Sequence, residues 1–430
     1  MSLKPYLHLA GEGLVAVLEP EAGYVPNVGY EVAHDVGRWW DAILRLEATT
    51  GFTIPGEVEA AALENLKALL DNPDHILMNT ERIPAPKDKI KRNPHNYREA
   101  FLALNALIRW RDNNWAREKA LALVESMDRC LDEEGRLDFS RSNLWGRVRE
   151  TRDISHLELG DAWFDSTPTS GRALEGLVPL YETTRDPAVL NLATRIAEFQ
   201  YQSIIRPDGQ VRPEFLDSGH QGHNHSYHGT LKGLLRFGLL TGRSGYVAAV
   251  NSTYRNGVRN RIVYPSGWTP HDLGQYRFVN THGDPVADPA SAGDSAQIAL
   301  WLALEVGQLD LLEDVYRLVG FRLLPAQMSR DEWESQPEAD RHPRDLGSWR
   351  IHRCPHANKG TTPDVHAAVL HTLCDIDASV PDLLERMDRH TDEQKWDEQM
   401  PSGKIYSFEA VGYRITRCTP AEEPFPYYPG

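Results

Sequence analysis

The chain has 430 residues, 41% hydrophobic and 25% charged, with a formal charge of −16 from 46 Lys plus Arg against 62 Asp plus Glu. That balance suits a soluble globular protein with a sizeable core. It argues against a nucleic acid or an anionic membrane as partner, because both need basic surface to displace counterions.

The N-terminus, MSLKPYLHLAGEGLVAVLEPEAGY, does not read as a signal peptide. No apolar run reaches the roughly 18 residues of a membrane-spanning helix. Cys130, Cys354, Cys374 and Cys418 are widely spaced without a CxxC pair. Reduced thiols and a cytoplasmic location are therefore expected.

Residues 1–34 read as an N-terminal rim segment in which GLVAVLEP and GYVPNVGY predict a strand or two. Between 35 and 395, apolar residues recur at helical spacing and period-2 alternation is rare. Twelve helices are predicted, over 35–49, 56–71, 95–111, 114–134, 168–183, 187–205, 224–241, 244–260, 291–306, 308–326, 363–377 and 379–390. Thr183-Thr184-Arg185-Asp186-Pro187 ends one and opens the next with Pro in its first turn. Thr241-Gly242-Arg243-Ser244 gives a Gly stop followed by a Ser cap.

Short and long connections alternate along this series. Tight turns join antiparallel helix pairs, so the short loops share one end and the long loops the other. The predicted fold is all-α, an (α/α)6 barrel of six helical hairpins with minor terminal strands. An α-solenoid would show similar repeats of fixed period, and these helices do not. Residues 396–430, including KIYSFEAVGYRIT, alternate enough to predict a terminal strand or lid packed on the barrel.

Long loops in a compact domain are usually functional. Here they are rich in aromatic and acidic residues, with Trp163, Phe164, Trp268, Tyr276 and Trp349 beside Asp161, Asp165, Asp272, Asp284, Asp288 and Asp294. Sugars have apolar faces and hydroxyl edges, which stacking rings and carboxylates suit. Taken singly, a Trp is more often core and an Asp more often a cap, and Asp294 and Asp364 sit where caps would. The concentration of these residues at one predicted end is the stronger signal.

The densest feature is His220-Gln221-Gly222-His223-Asn224-His225-Ser226-Tyr227-His228. Histidine exchanges protons near neutral pH and also ligates metals. At helical spacing Asn224 shares a face with His228, whereas His223, His225 and Tyr227 cannot all point one way. His352-Arg353-Cys354-Pro355-His356 carries thiolate and imidazole, but its spacing matches no standard zinc pattern. Neither a metal nor a cofactor is expected.

Three stretches resemble the β-L-arabinofuranosidase-like glycoside hydrolases. WFDSTPTSGRALEGLVPLYETTRDPAVLNLATRIAEF is similar to that family's helix with a His-Leu-x-x-Ala stretch before a Thr-Gly-Asp turn. Gly222-His223 resembles its Gly-His-Ala helix opening, and Tyr264-Pro265-Ser266-Gly267 its Tyr-x-Thr-Gly-Gly loop. The resemblance spans roughly 160–380 and implies an (α/α)6 catalytic domain. The family's zinc and cysteine stretches, Glu-Thr-Cys and Cys-Cys-Pro-Pro, correspond to Gly293-Asp294-Ser295 and Arg353-Cys354-Pro355-His356. The zinc/cysteine motif is thus largely replaced, with Arg353 at the nucleophile position, and the resemblance does not carry the cysteine mechanism.

The expected function is a glycoside hydrolase acting on an oligosaccharide through an Asp-based acid/base site, which needs two carboxyl groups at the scissile bond. Asp294 falls at the stretch the resemblance identifies, and Asp161 sits among aromatics. His223 and His225 would bind hydroxyls or orient the acid, and Tyr227 is a further catalytic candidate. Trp163, Trp268 and Trp349 would stack on sugar rings, with Asn224, Asp272 and His356 as polar contacts. Arg172 and Arg353 could hold a carboxylate on an acidic sugar. A lyase using Asn224, His225 and Tyr227, a sugar epimerase or isomerase using paired histidines, and a non-catalytic carbohydrate-binding barrel are the alternatives. A homo-oligomer is compatible with the sequence.

Overall fold

The computed structural model describes residues 3–25, 35–83, 94–138, 141, 170–217, 222–262, 267, 269–274, 288–350, 363–381, 383, 394–399, 405–411 and 414–419. The longer helices are α1 (Lys4–Ala16), α2 (Val36–Thr50), α3 (Gly56–Leu69), α4 (Pro94–Arg111), α5 (Asn114–Arg129), α6 (Leu174–Thr184), α7 (Pro187–Ile204), α8 (Asn224–Thr241), α9 (Ser244–Thr253), α10 (Pro289–Leu304), α11 (Leu312–Arg317) and α12 (Pro363–Ser379). The chain divides into two compact units. The N-proximal unit is Leu18–Leu44 with Ile54–Thr253, and the C-proximal unit is Met1–Val17, Arg45–Thr53 and Tyr254–Gly430.

In the N-proximal unit, burial separates two kinds of helix. In α3 a single stripe is buried, Val58, Ala62, Asn65, Leu66 and Leu69. In α5 the stripe is Ala116, Ala120, Leu123, Val124 and Met127. That spacing leaves the opposite face to water. By contrast α4 is buried at every position from His95 to Ile108. So is α8 from Asn224 to Leu235. A helix enclosed all round has neighbours on every side. Helix α4 packs on α5 and α6, and α6 on α7 and α8. The pairs α4/α5, α6/α7 and α8/α9 are antiparallel hairpins.

Backbone chemistry sets the turns. Arg185 takes a left-handed conformation at φ 55° to end α6, and the Asp186 side chain then accepts from Ala188 N at 2.8 Å to cap α7. Gly242, at φ 71°, closes α8, and Ser244 is the first residue of α9 rather than its cap. Glycine also permits close approach. A Cβ on Gly37 would lie 1.9 Å from the Glu99 carbonyl oxygen, so only glycine lets α2 meet α4 there.

The C-proximal unit contains α1, α10, α11 and α12, with α12 packed on both α1 and α10. Helix α10 is buried at every position from Pro289 to Leu300. The first stretch expected as a strand, GLVAVLEP, instead begins inside α1, and most of the second, GYVPNVGY, lies outside the described residues. In α1, Leu7, Ala10 and Leu14, with Leu3 at its N-cap, are all buried and follow helical spacing. Its glycines mark close packing rather than turns, since a Cβ on Gly13 would lie 1.9 Å from Leu346 O.

Two helices predicted as continuous are interrupted. After α9 the chain passes through a π-turn at Tyr254–Val258 and a 3-10 turn at Arg259–Arg261. The segment expected over 308–326 contains α11, a π-turn at Leu318–Leu323 and a final turn at Leu324–Ala326. Pro325 lacks the N–H that would bond the carbonyl four residues back, so regular α-helix cannot continue there. Most of the twelfth predicted helix, 379–390, lies outside the described residues.

Three strands form an antiparallel sheet in the order β1 (Gln394–Gln399), β2 (Ile405–Val411), β3 (Arg414–Thr419). Trp396 pairs with Phe408, and the register shifts at Glu409/Ala410. Among the described residues no helix is long and apolar enough to cross a membrane.

Candidate active site

The N-terminal halves of α2, α4, α6 and α8 supply a buried ionic cluster in the N-proximal unit. Because Gly37 allows close packing, the Arg38 backbone N–H donates to Glu99 Oε2 at 2.8 Å and its Nε to Oε1 at 3.1 Å. Arg98 Nε donates to the same Oε1 at 2.9 Å, and its Nη2 makes a second contact there. Arg98 Nη1 reaches Glu175 Oε2 at 3.3 Å, and Lys232 Nζ lies 2.9 Å from Glu175 Oε1. A Cβ on residue 229 would come within 2.7 Å of Glu175 Oε2, so Gly229 makes room for that carboxylate. Burial raises the Glu99 pKa, opposed by Arg98 and Arg38.

His225 joins this cluster with its Nε2 3.0 Å from Arg38 Nη1. Burial, reinforced by Arg38, holds its pKa well below the ordinary histidine range. His223 precedes α8, and its Nδ1 lies 2.7 Å from Ser226 Oγ. The His223 and His225 rings are 6.3 Å apart. Tyr227 faces elsewhere, with its ring 5.8 Å from that of Phe215, and the Asn224 carbonyl accepts from His228 Nδ1 at 2.9 Å. Arg172 is fully buried, with Nη1 3.0 Å from His95 Nδ1 and donating to Ser226 Oγ at 3.2 Å.

In the C-proximal unit a group of aspartates surrounds the start of α10. Asp288 caps the helix, accepting from Ala290 N at 2.9 Å and Ser291 Oγ at 2.8 Å. Its backbone N–H donates to Thr269 O at 2.9 Å, which brings the 269–272 segment alongside. Asp294, read from sequence as sitting where a cap would, instead lies inside the helix and is buried. Asp288 performs the capping because the helix begins at Pro289. Burial raises the Asp288 pKa; His271 opposes this and the charge of Asp294 adds to it.

Asp272 is also buried, yet neither carboxylate oxygen has a hydrogen-bond partner among the described residues. His271 Nδ1 lies 3.5 Å from its Oδ2. Trp349 is enclosed, with its ring edge-on to His366 at 5.3 Å. Asp161, Trp163, Trp268, Arg353 and His356 lie outside the described residues, as does Cys354.

Sequence reasoning missed Arg38, His95, Arg98, Glu99, Glu175 and Lys232. A partial signal was present: Glu175 stands among Leu174, Gly176, Leu177 and Val178, and Lys232 among Leu231, Gly233, Leu234 and Leu235.

No protein-family model and no curated protein matches the chain. Solved structures do. A D-mannose isomerase is similar with a TM-score of 0.58 and 11% identity, over 86% of this chain and 97% of that one. An unsaturated glucuronyl hydrolase specific for heparin has a TM-score of 0.55 at 11% identity, over 88% and 99%. An alpha-1,6-mannanase of Salegentibacter sp., in complex with alpha-1,6-mannotriose, has 0.53 at 10% identity, over 87% and 99%. The agreement is in fold and does not single out the β-L-arabinofuranosidase-like family. The chain has the six-hairpin (α/α)6-barrel fold.

Proposed function

We propose that the protein is a carbohydrate-active enzyme, and within that class a glycoside hydrolase with its catalytic carboxyl groups at the start of α10. The observation that carries this reading is Asp272, a buried carboxylate with neither oxygen hydrogen-bonded among the described residues, beside the segment that holds Asp288 and Asp294. A carboxylate kept in that state costs stability, which a purely structural role would not explain. Asp272 and Asp294 divide the two roles of glycoside hydrolysis. One carboxyl protonates the departing glycosidic oxygen, and the other carboxylate attacks the anomeric carbon or activates the water that does. Asp161 stays a candidate for either role.

A sugar isomerase is the second reading. It draws on the likeness to a D-mannose isomerase and on the neutral imidazole of His225 among guanidinium groups.

The test is incubation with neutral and uronate-containing oligosaccharides, recording product mass and ultraviolet absorbance together. Hydrolysis adds one water per cleavage without new absorbance, and Asp272→Asn and Asp294→Asn should each lower kcat at least a hundredfold. Cleavage without added water and with new absorbance would identify a lyase and overturn the reading. Unchanged mass with altered retention would favour the isomerase.

A further inference from the structure

In the N-proximal cluster Arg38, Arg98, Arg172 and Lys232 lie against the carboxylates of Glu99 and Glu175. Glu99 is occupied by Arg38 and Arg98, and Glu175 by Arg98 and Lys232. Arg172 is left with a charge contact to Glu175 Oε2 at 3.9 Å from its Nε, beyond hydrogen-bond length.

The geometry of Arg172 defines what is missing. Its Nη1 is turned to His95 and Ser226. Nε and Nη2, the two nitrogens of the side-on edge, have no hydrogen-bond partner among the described residues although the residue is fully buried. A buried donor without an acceptor costs on the order of 1–3 kcal/mol, more when it is charged. Two parallel N–H groups on a planar edge match the two oxygens of a carboxylate. The start of α8, whose Ser226 holds Nη1, adds the positive end of a helix dipole.

We propose that the free edge of Arg172 binds a carboxylate carried by the ligand, which makes the substrate class an acidic sugar such as a uronate. The proposal rests on the carbohydrate reading above, but not on hydrolysis or on the α10 aspartates. Lys at this position would keep the charge and lose the fork.

Binding is measured by calorimetry at low ionic strength, without turnover, using D-glucuronate, D-glucose, D-glucose 6-phosphate and acetate. Glucuronate should bind at least tenfold more tightly than glucose and than glucose 6-phosphate, and R172K should abolish that preference while circular dichroism stays unchanged. Equal binding of glucuronate and glucose, or no binding of either carboxylate, would overturn it, leaving the edge to ordered water. A preference for glucose 6-phosphate would overturn the carboxylate in favour of a phosphate. Acetate binding that R172K removes, with no sugar bound, would keep the carboxylate site and sink the carbohydrate reading instead. Should R172K fail to fold, the comparison of the four ligands on the wild-type protein still decides.

Discussion

Arg38 Nη1 lies 3.0 Å from His225 Nε2, and this one contact fixes the state of the imidazole. A guanidinium can only donate, so Nε2 must accept and the ring proton must sit on Nδ1. His225 is therefore neutral, and protonating it would place a second cation against Arg38. Its pKa, well below the ordinary value, follows from burial first and Arg38 second. In ¹⁵N spectra the His225 ring should show the Nδ1–H tautomer from pH 8 to pH 5 with no titration step. A midpoint near 6.5, or the Nε2–H tautomer, would mean that the contact does not exist in solution.

His366 carries a similar consequence for stability in acid. It is fully buried against Trp349, and burial lowers its pKa from 6.5 to about 3, with the Ala10 backbone opposing. Between those values the unfolded chain binds a proton that the folded chain does not. Stability then rises with pH through this window and levels off above 6.5. One pH unit within the window corresponds to about 1.4 kcal/mol, so moving from pH 6.5 to 5 should cost about 2 kcal/mol from this residue. Urea titrations should show His366→Leu losing that part of the slope. An unchanged slope between pH 5 and 6.5 would assign the acid sensitivity to other groups.

The difference between what was legible and what was not follows from the range of the interactions. Helices α2 to α10 were readable because apolar residues recur at helical spacing and several helix ends carry stop or cap signals, both written in local sequence. The α6–α7 turn was readable because Arg185-Asp186-Pro187 carries its own stop and cap signals. Helix α1 was misread because Gly11 and Gly13 serve partners remote in sequence, Leu46 and Leu346. The Arg38–Glu99 pair spans 61 positions and the Arg38–His225 contact 187, so neither leaves a motif. His223 and Asp294 were named through clusters or resemblance. Asp272 was named by its loop, but that its oxygens have no hydrogen-bond partner among the described residues is a tertiary fact.

Asp314 should anchor the irregular segment after α9. It is buried, accepts from Tyr254 Oη at 3.0 Å, and pairs with Arg259 through Nη2 at 2.8 Å and Nε at 3.2 Å. A π-turn widens the helix at Tyr254–Val258, and these bonds hold both of its flanks. Asp314→Ala removes all three bonds and should cost about 3 kcal/mol. Tyr254→Phe should cost about 1 kcal/mol. In a double-mutant cycle the two should couple by at least about 0.5 kcal/mol. Strict additivity would show that hydroxyl and carboxylate do not interact.

Cys374 tests the packing of α12 directly. It is buried, and burial pushes its thiol up to about 12, against the opposing effects of Thr49 and Arg45. The thiolate is the reactive form, so at pH 8 only about one thiol in ten thousand is ionised, even before access is considered. Alkylation with iodoacetamide at pH 8, followed by peptide mass spectrometry, should leave Cys374 unmodified for hours in buffer and modify it within minutes in 8 M urea. Cys130, buried behind Tyr97, whose hydroxyl lies 3.5 Å from its Sγ, should behave the same way. If Cys374 alone reacted quickly in buffer, α12 would have to open by itself while α5 stayed closed. The contact of α12 with α1 and α10 would then be the weakest packing in the C-proximal unit.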